Sequence, residues 1–232
     1  MRLLTAIIND IRIQFRSGFY YAYLFVCLFY ILAIRQLPAD YTKIGLFYVI
    51  FTDPTVLGFY FVGGLLLLEK GQKTLTSLFV TPMRLHEYIL AKVLSLGLLA
   101  LVSSLLIAVL LVRFDFHILY LIVTVLLASA IYTLVGITLG VRAKDVNRYL
   151  FISPLYLIFT ILPVLSFLGI FPRNLFFFIP THSILNLLSY AILDTKLGSL
   201  WLDFGLLILW IGIAWYWAQK WFIKYVINQT GD

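Results

Sequence analysis

The chain has 232 residues, of which 63% are hydrophobic and only 12% charged, against about 45–50% and about 25% in soluble domains. With a mean hydropathy of +1.04, this excludes a soluble globular domain, a disordered chain and a disulfide scaffold. Each bilayer crossing takes about 20 apolar residues, so six spans with their loops fill most of the length. The net charge of +7 belongs first to asymmetry between loops rather than to nucleic-acid binding, and the single Cys27 leaves no partner for an internal disulfide.

Residues 1–17 carry Leu4, Ile7, Ile8, Ile11 and Phe15 at helical spacing, with Thr5, Asn9, Arg12 and Arg16 opposite. This predicts an amphipathic helix lying in the headgroup plane rather than a cleavable leader. Span one is expected over residues 19–34. Residues 36–53 read as a loop with a further apolar stretch, 44–52. Span two is expected from Pro54, with Asp53 as its N-cap, to about residue 68. That is short, so either 44–52 dips into the membrane or span two begins earlier; the two stay open. The longest polar stretch, 69–92, precedes span three over 93–112. Span four follows at about 118–139, then a short basic loop, VRAKDVNR. Span five covers about 149–168, interrupted by Pro163. Residues 169–199 are apolar yet punctuated by Gly169, Pro172, Pro180 and Gly198. Span six runs from about 200 to 222.

Lys and Arg settle the expected orientation. The side holding the N-terminus, 69–92, 140–148 and the C-terminus has 12 of the 17, while acidic residues split evenly. The positive-inside rule therefore predicts both termini in the cytoplasm of a multi-pass membrane protein.

The chemistry is sparse. The sequence has no G-x-x-x-x-G-K-[ST] run, no G-x-S-x-G elbow and no H-E-x-x-H, hence no phosphate-binding loop and no familiar catalytic motif. His86, His117 and His182 are expected in separate loops rather than around a metal. The spans are nearly free of ionisable groups, unlike a proton-coupled pump; Asp53 and Asp203 lie near span ends and read as helix caps. Gly97, Ala100, Ser104 and Ala108 form one small-residue stripe, and Gly136 and Gly140 another. Either allows close helix approach within a subunit or between copies. The clusters Phe19, Tyr20, Tyr21, Tyr23 and Trp215, Trp217, Trp221, Tyr225 suit interfacial belts. The other use of aromatics is a cavity for flat amphipathic compounds, with Phe59, Tyr60, Phe61, Tyr156 and Phe159 as its candidates.

The sharpest signal lies in residues 69–92. Glu69-Lys70 ends span two, and Gly71 permits a turn. Leu75, Leu78 and Phe79 make a short amphipathic segment that Thr81-Pro82 breaks. A second helix bearing Glu87 and Tyr88 then leads through Lys92 into span three. Such a unit suits docking on a soluble partner, or else lies on the lipid as a plain connector.

The run from residue 63 to 94, GGLLLLEKGQKTLTSLFVTPMRLHEYILAKVL, resembles the region between the second and third spans of type-2 permeases of ATP-binding-cassette transporters, most of all those for fluoroquinolone export. The matching positions are Glu69, Thr74, Leu75, Thr81, Pro82, Glu87, Tyr88 and Lys92. The chain departs at the turn, where Lys73 precedes Thr74 and Gly71 stands earlier. The resemblance implies a single permease domain over 1–232, all-α, with six transmembrane helices. It implies an interfacial helix over 1–17, a cytosolic coupling helix within 69–92 and an extracytoplasmic re-entrant segment over 169–199. It also implies two copies of the chain in the cell membrane, driven by a separate cytosolic ATPase that holds the ATP and Mg. Glu69, Leu78, Phe79 and the matched positions would couple to it, and an amphipathic or drug-like cargo would leave the cell. A haem-export permease, a non-transporting sensor or immunity subunit of the same fold, and an intramembrane enzyme are the alternatives. Membrane lipid is an expected neighbour, nucleic acid is not, and no cofactor or metal is expected in this chain.

Overall fold

A computed structural model describes residues 2–52, 54–72 and 84–227, and among them the regular structure is entirely helical. In chain order the helices are α1 (Arg2–Arg16), α2 (Phe19–Arg35), α3 (Ala39–Thr52), α4 (Pro54–Gly71), α5 (Leu85–Val112), α6 (Ile118–Gly140) and α7 (Val146–Phe167). After a 3-10 turn (Arg173–Phe176) come α8 (Pro180–Leu193) and α9 (Leu200–Phe222), the last running into a π-turn (Ile223–Ile227). The protein is thus an all-α polytopic membrane protein. Four helical stretches are long and apolar enough to cross a bilayer, and six if the bent pairs α1–α2 (68°) and the two halves of α7 (40°) each make one span.

The breaks follow from local chemistry. Gly18 takes a left-handed φ of 81°, a conformation open to glycine without a side-chain clash, and there the amphipathic α1 turns into the apolar α2. In α7 the bend separates 146–158 from 160–167. Pro163 supplies no N–H to the carbonyl four residues earlier and crowds it, which places the kink at residue 159. Pro180 opens α8 at a first-turn position where its missing N–H costs nothing.

Several sequence expectations are corrected. Residues 44–52 are not loop: they belong to α3, whose Leu46, Phe47, Ile50 and Phe51 are buried at the i, i+1, i+4, i+5 spacing of a helix face packed on α8. The expected second connector helix and span three form one unbroken helix, α5, capped by Glu87 reaching back 2.9 Å to the Arg84 amide. Two of the three histidines lie in helices, His86 in the first turn of α5 and a buried His182 in α8. Asp203 is not the cap of α9, a place held by Ser199. Its carboxylate is buried, 3.3 Å from the Asn186 side-chain amide on α8. Asp53 and residues 73–83 lie outside the described residues.

The centre of the bundle is α6, which packs on α4, α5, α8 and α9. Its glycines face inward within the chain. A Cβ on Gly136 would come 2.6 Å from the Phe59 carbonyl oxygen, and one on Gly140 would come 3.1 Å from Leu66. Ala100, Ser104 and Ala108 are buried, and Gly97 on their stripe faces Leu126 of α6, so both small-residue stripes serve packing inside the subunit. The fourteen residues of α8 reach about 21 Å, short of the about 30 Å hydrocarbon core. This helix is nearly all buried, wedged among α3, α6, α7 and α9.

Long-range polar contacts sort the bundle into two ends. At one, Lys43 pairs with Asp115 at 2.8 Å, Arg35 donates to the Leu110 carbonyl, and His117 meets Asp194 at 3.0 Å. At the other, Lys92 meets Asp10 and Glu69, Lys70 donates to the Ala143 carbonyl, and Arg142 stacks on Trp221.

Candidate functional site

The second end holds a buried ionic cluster. Lys92, about two turns into α5, is fully buried. Its Nζ donates to Asp10 Oδ1 of α1 at 2.6 Å and to Glu69 Oε1 of α4 at 2.5 Å. The Tyr88 hydroxyl, one turn earlier on α5, donates to Glu69 Oε2, and the Lys92 ammonium lies 5.2 Å from the Tyr88 ring centre. One turn further along α1, the Gln14 side-chain amide donates to Ser95 Oγ at 3.0 Å. Three helices are thereby tied at one point: α1, the end of α4 and the start of α5.

The electrostatics are demanding. Two carboxylates share one ammonium out of water. Burial pushes the Asp10 carboxyl above its ordinary value, and the Lys92 ammonium pulls against that. Charged groups in such surroundings are tolerated only when paired and hydrogen-bonded, and here each charge has at least one partner. Such a pairing adds little net stability over an apolar packing, but it punishes any shift that separates the partners.

The packing of α1 explains how Asp10 comes to be inside. Leu3, Ala6, Ile7, Asp10 and Gln14 turn inward, while Leu4, Ile8 and Phe15 stay exposed and apolar. Arg2, Thr5, Asn9, Arg12 and Arg16 occupy the remaining arc, all exposed. The helix has three faces: one for the bundle, one apolar and free, one polar.

Of the residues singled out from sequence, Glu69, Tyr88 and Lys92 come together, and Glu87 sits apart as the cap of α5. Thr74, Leu75, Leu78, Phe79, Thr81 and Pro82 lie outside the described residues. The aromatic candidates do not share one cavity. Phe59 is fully buried against Tyr149, whose hydroxyl donates to its carbonyl. Phe61 packs on Phe19 and Tyr23 of α2. Tyr60 and Tyr156 are 37% and 39% exposed, and nothing is described of the Phe159 side chain. Sequence reasoning missed Asp10, Gln14 and Ser95. The one faint signal was spacing: Asp10 and Gln14 are four apart, on the α1 face that also carries Leu3 and Ile7, but their polarity reads as a water-facing arc.

A family model for the fluoroquinolones export permease protein family matches residues 1–230. Two curated relatives, each named fluoroquinolones export permease protein, come from Mycobacterium tuberculosis strains CDC 1551 / Oshkosh and ATCC 25618 / H37Rv. Each is 27% identical over 191 residues, covering 82% of this chain and 81% of the relative. With nearly its whole length matched, the chain belongs to the fluoroquinolones export permease protein family.

Proposed function

We propose that this chain is the membrane-spanning half of an ATP-driven exporter. Two copies would pair with a separate cytosolic ATPase and move flat, amphipathic, drug-like compounds of the fluoroquinolone kind out of the cell. The drug-export role rests on the family and on the relatives' names. The ATPase partner is inferred from a sequence with no phosphate-binding loop of its own; ATP and Mg would sit in that partner, and this chain would catalyse nothing. With 12 of 17 cationic residues on one side, both termini and residues 69–92 would face the cytoplasm.

The observation that carries the mechanism is the Asp10–Lys92–Glu69 cluster. It joins the amphipathic α1, the end of α4 and the start of α5 beside the connector, residues 73–83. A push on the connector by an ATPase would then move three helices as one body, and alternating access needs such a discrete element biased by nucleotide. Leu78 and Phe79 would meet the ATPase, with Thr74, Leu75, Thr81, Pro82 and Glu87 shaping the connector. Tyr60, exposed on α4, is the aromatic candidate left open to cargo.

The test is purification of the tagged chain from its native membrane in gentle detergent. A stoichiometric ATPase with vanadate-sensitive, substrate-stimulated hydrolysis is expected. Leu78→Asp with Phe79→Asp should lose the ATPase, and Glu69→Ala should keep it but lose the stimulation. A chain that emerges alone or with a non-ATPase partner would reopen the sensor reading.

A further inference from the structure

Between α6 and α7, at the end of the bundle that holds the Lys92 cluster, lies a cavity of about 140 Å³. Its walls include Arg142, Arg148, Ala143, Tyr149, Ile152 and Tyr156. We propose that it binds the phosphate headgroup of an anionic phospholipid, whose acyl chains lie along α7. This goes beyond the export reading and does not depend on it.

The charge at the cavity is uncompensated. Arg142 and Arg148 are exposed, and neither guanidinium has a carboxylate partner among the described residues. Arg142 is stacked over the Trp221 ring, 4.3 Å from guanidinium carbon to centroid. An arginine held over an aromatic face keeps N–H groups with which to fork onto a phosphate. Lys70 adds a third cation: its Nζ donates at 3.2 Å to the carbonyl of Ala143, which lines the cavity. The single acid of this loop, Asp145, is engaged elsewhere, accepting at 2.7 Å from the Arg148 amide as the cap of α7.

Size separates a headgroup from a cargo. Drug-sized ligands occupy pockets of about 300–1,000 Å³. A cavity of about 140 Å³ falls well below that range, enough for a phosphate and too little for a drug. The surroundings then favour a lipid over free phosphate. Arg148, Ile152 and Tyr156 follow one another at every fourth residue on α7, a strip about 12 Å long. Beside it Phe151, Leu155 and Ile158 are exposed and apolar. A cationic end leading into an apolar strip matches an anionic head leading into acyl chains, the pattern of basic pockets between transmembrane helices.

The experiment uses the purified full chain, delipidated and returned to nanodiscs, with phosphatidylglycerol titrated against phosphatidylcholine and bound lipid counted by native mass spectrometry. Wild type should retain phosphatidylglycerol in preference. A hydrogen bond to a charged group contributes a factor of about ten or more, so Arg148→Gln should weaken retention about tenfold and Arg142→Gln with Arg148→Gln about 100-fold. Lys144→Gln, exposed and outside the cavity, should change little, and unaltered melting in lipid-free detergent shows that each variant is folded. Equal retention by wild type and the double variant overturns the proposal, as does an equal loss in Lys144→Gln. Displacement of the lipid by millimolar inorganic phosphate alone makes this a small-anion site, and displacement by a fluoroquinolone makes it a cargo site; either also overturns it.

Discussion

The Lys92 ammonium is held by side chains of two other helices, Asp10 from α1 and Glu69 from α4. Deleting the charge while keeping the bulk leaves two carboxylates buried without a counter-ion. Removing one member of a buried ion pair costs about 3–5 kcal/mol, and Lys92→Met is expected to fall in that range. Glu69→Gln should cost less, because the amide oxygen can still accept from Tyr88 or Lys92 and Asp10 keeps its ammonium. Denaturant unfolding of the two purified variants in detergent gives the comparison; equal losses would show that Glu69 carries as much of the cluster as the lysine. Half of this cluster was legible in the sequence. Glu69, Tyr88 and Lys92 stand within one contiguous run, at spacings that a turn and a helix bring close. Asp10 and Gln14 were not, because an aspartate on an amphipathic helix scores as a water-facing residue by composition. Only the packing of α1 on α5 shows that its bundle face carries Asp10 and Gln14 while Leu4, Ile8 and Phe15 stay outside.

At the scale of helices, the tightest constraint lies between α4 and α6. Gly136 meets a backbone atom, the Phe59 carbonyl oxygen, at 2.6 Å from where a Cβ would stand. Backbone cannot swing aside as a side chain can, so Gly136→Ala forces the helices apart. Overpacking of this kind costs about 1–3 kcal/mol. Gly64, by contrast, has nothing within 4 Å of its would-be Cβ. Gly64→Ala should be neutral or stabilise by up to about 1 kcal/mol, the difference in helix propensity. Melting temperatures of the two variants should therefore move in opposite directions or differ clearly; a Gly64→Ala loss as large as that of Gly136→Ala would show that glycine here serves something other than approach. Hydropathy made the long helices α6 and α9 legible almost to the residue, since continuous apolar runs admit few other readings; α5 was legible only from residue 93, because its first two turns carry polar and charged residues. It failed at α3 and α8. Both are short and interleaved with turn residues, and their burial comes from each other and from their neighbours, α4 and α5 for α3, α6 and α9 for α8, rather than from their own length. The two stripes of small residues were visible as well, but a stripe does not name the helix that fills it.

For the whole molecule, the sequence yields a topology and the contacts yield a grouping, and the two agree in a way that can be measured. Residues placed on the basic side by alternating the spans, Asp10, Lys70, Lys92 and Arg142, are joined in space through α1, α4, α5, α6 and α9. Residues assigned to the other side, Arg35, Lys43, Asp115 and Asp194, meet at the opposite end. The basic end should be cytoplasmic, because Lys and Arg in short loops are retained on that side. The chain has a single cysteine, Cys27, and it is buried in α2; Cys27→Ser therefore leaves a background silent to thiol reagents. In that background, Lys196→Cys should react with a membrane-impermeant maleimide on intact cells. Lys144→Cys should react only after the cells are permeabilised. Both sites are exposed, so reactivity reports sidedness rather than burial. The reverse pattern would invert the whole bundle, and with it move residues 69–92 away from any cytosolic ATPase. Labelling of both sites from outside would mean that the bent helix α7, the one expected span between residues 144 and 196, does not cross the membrane.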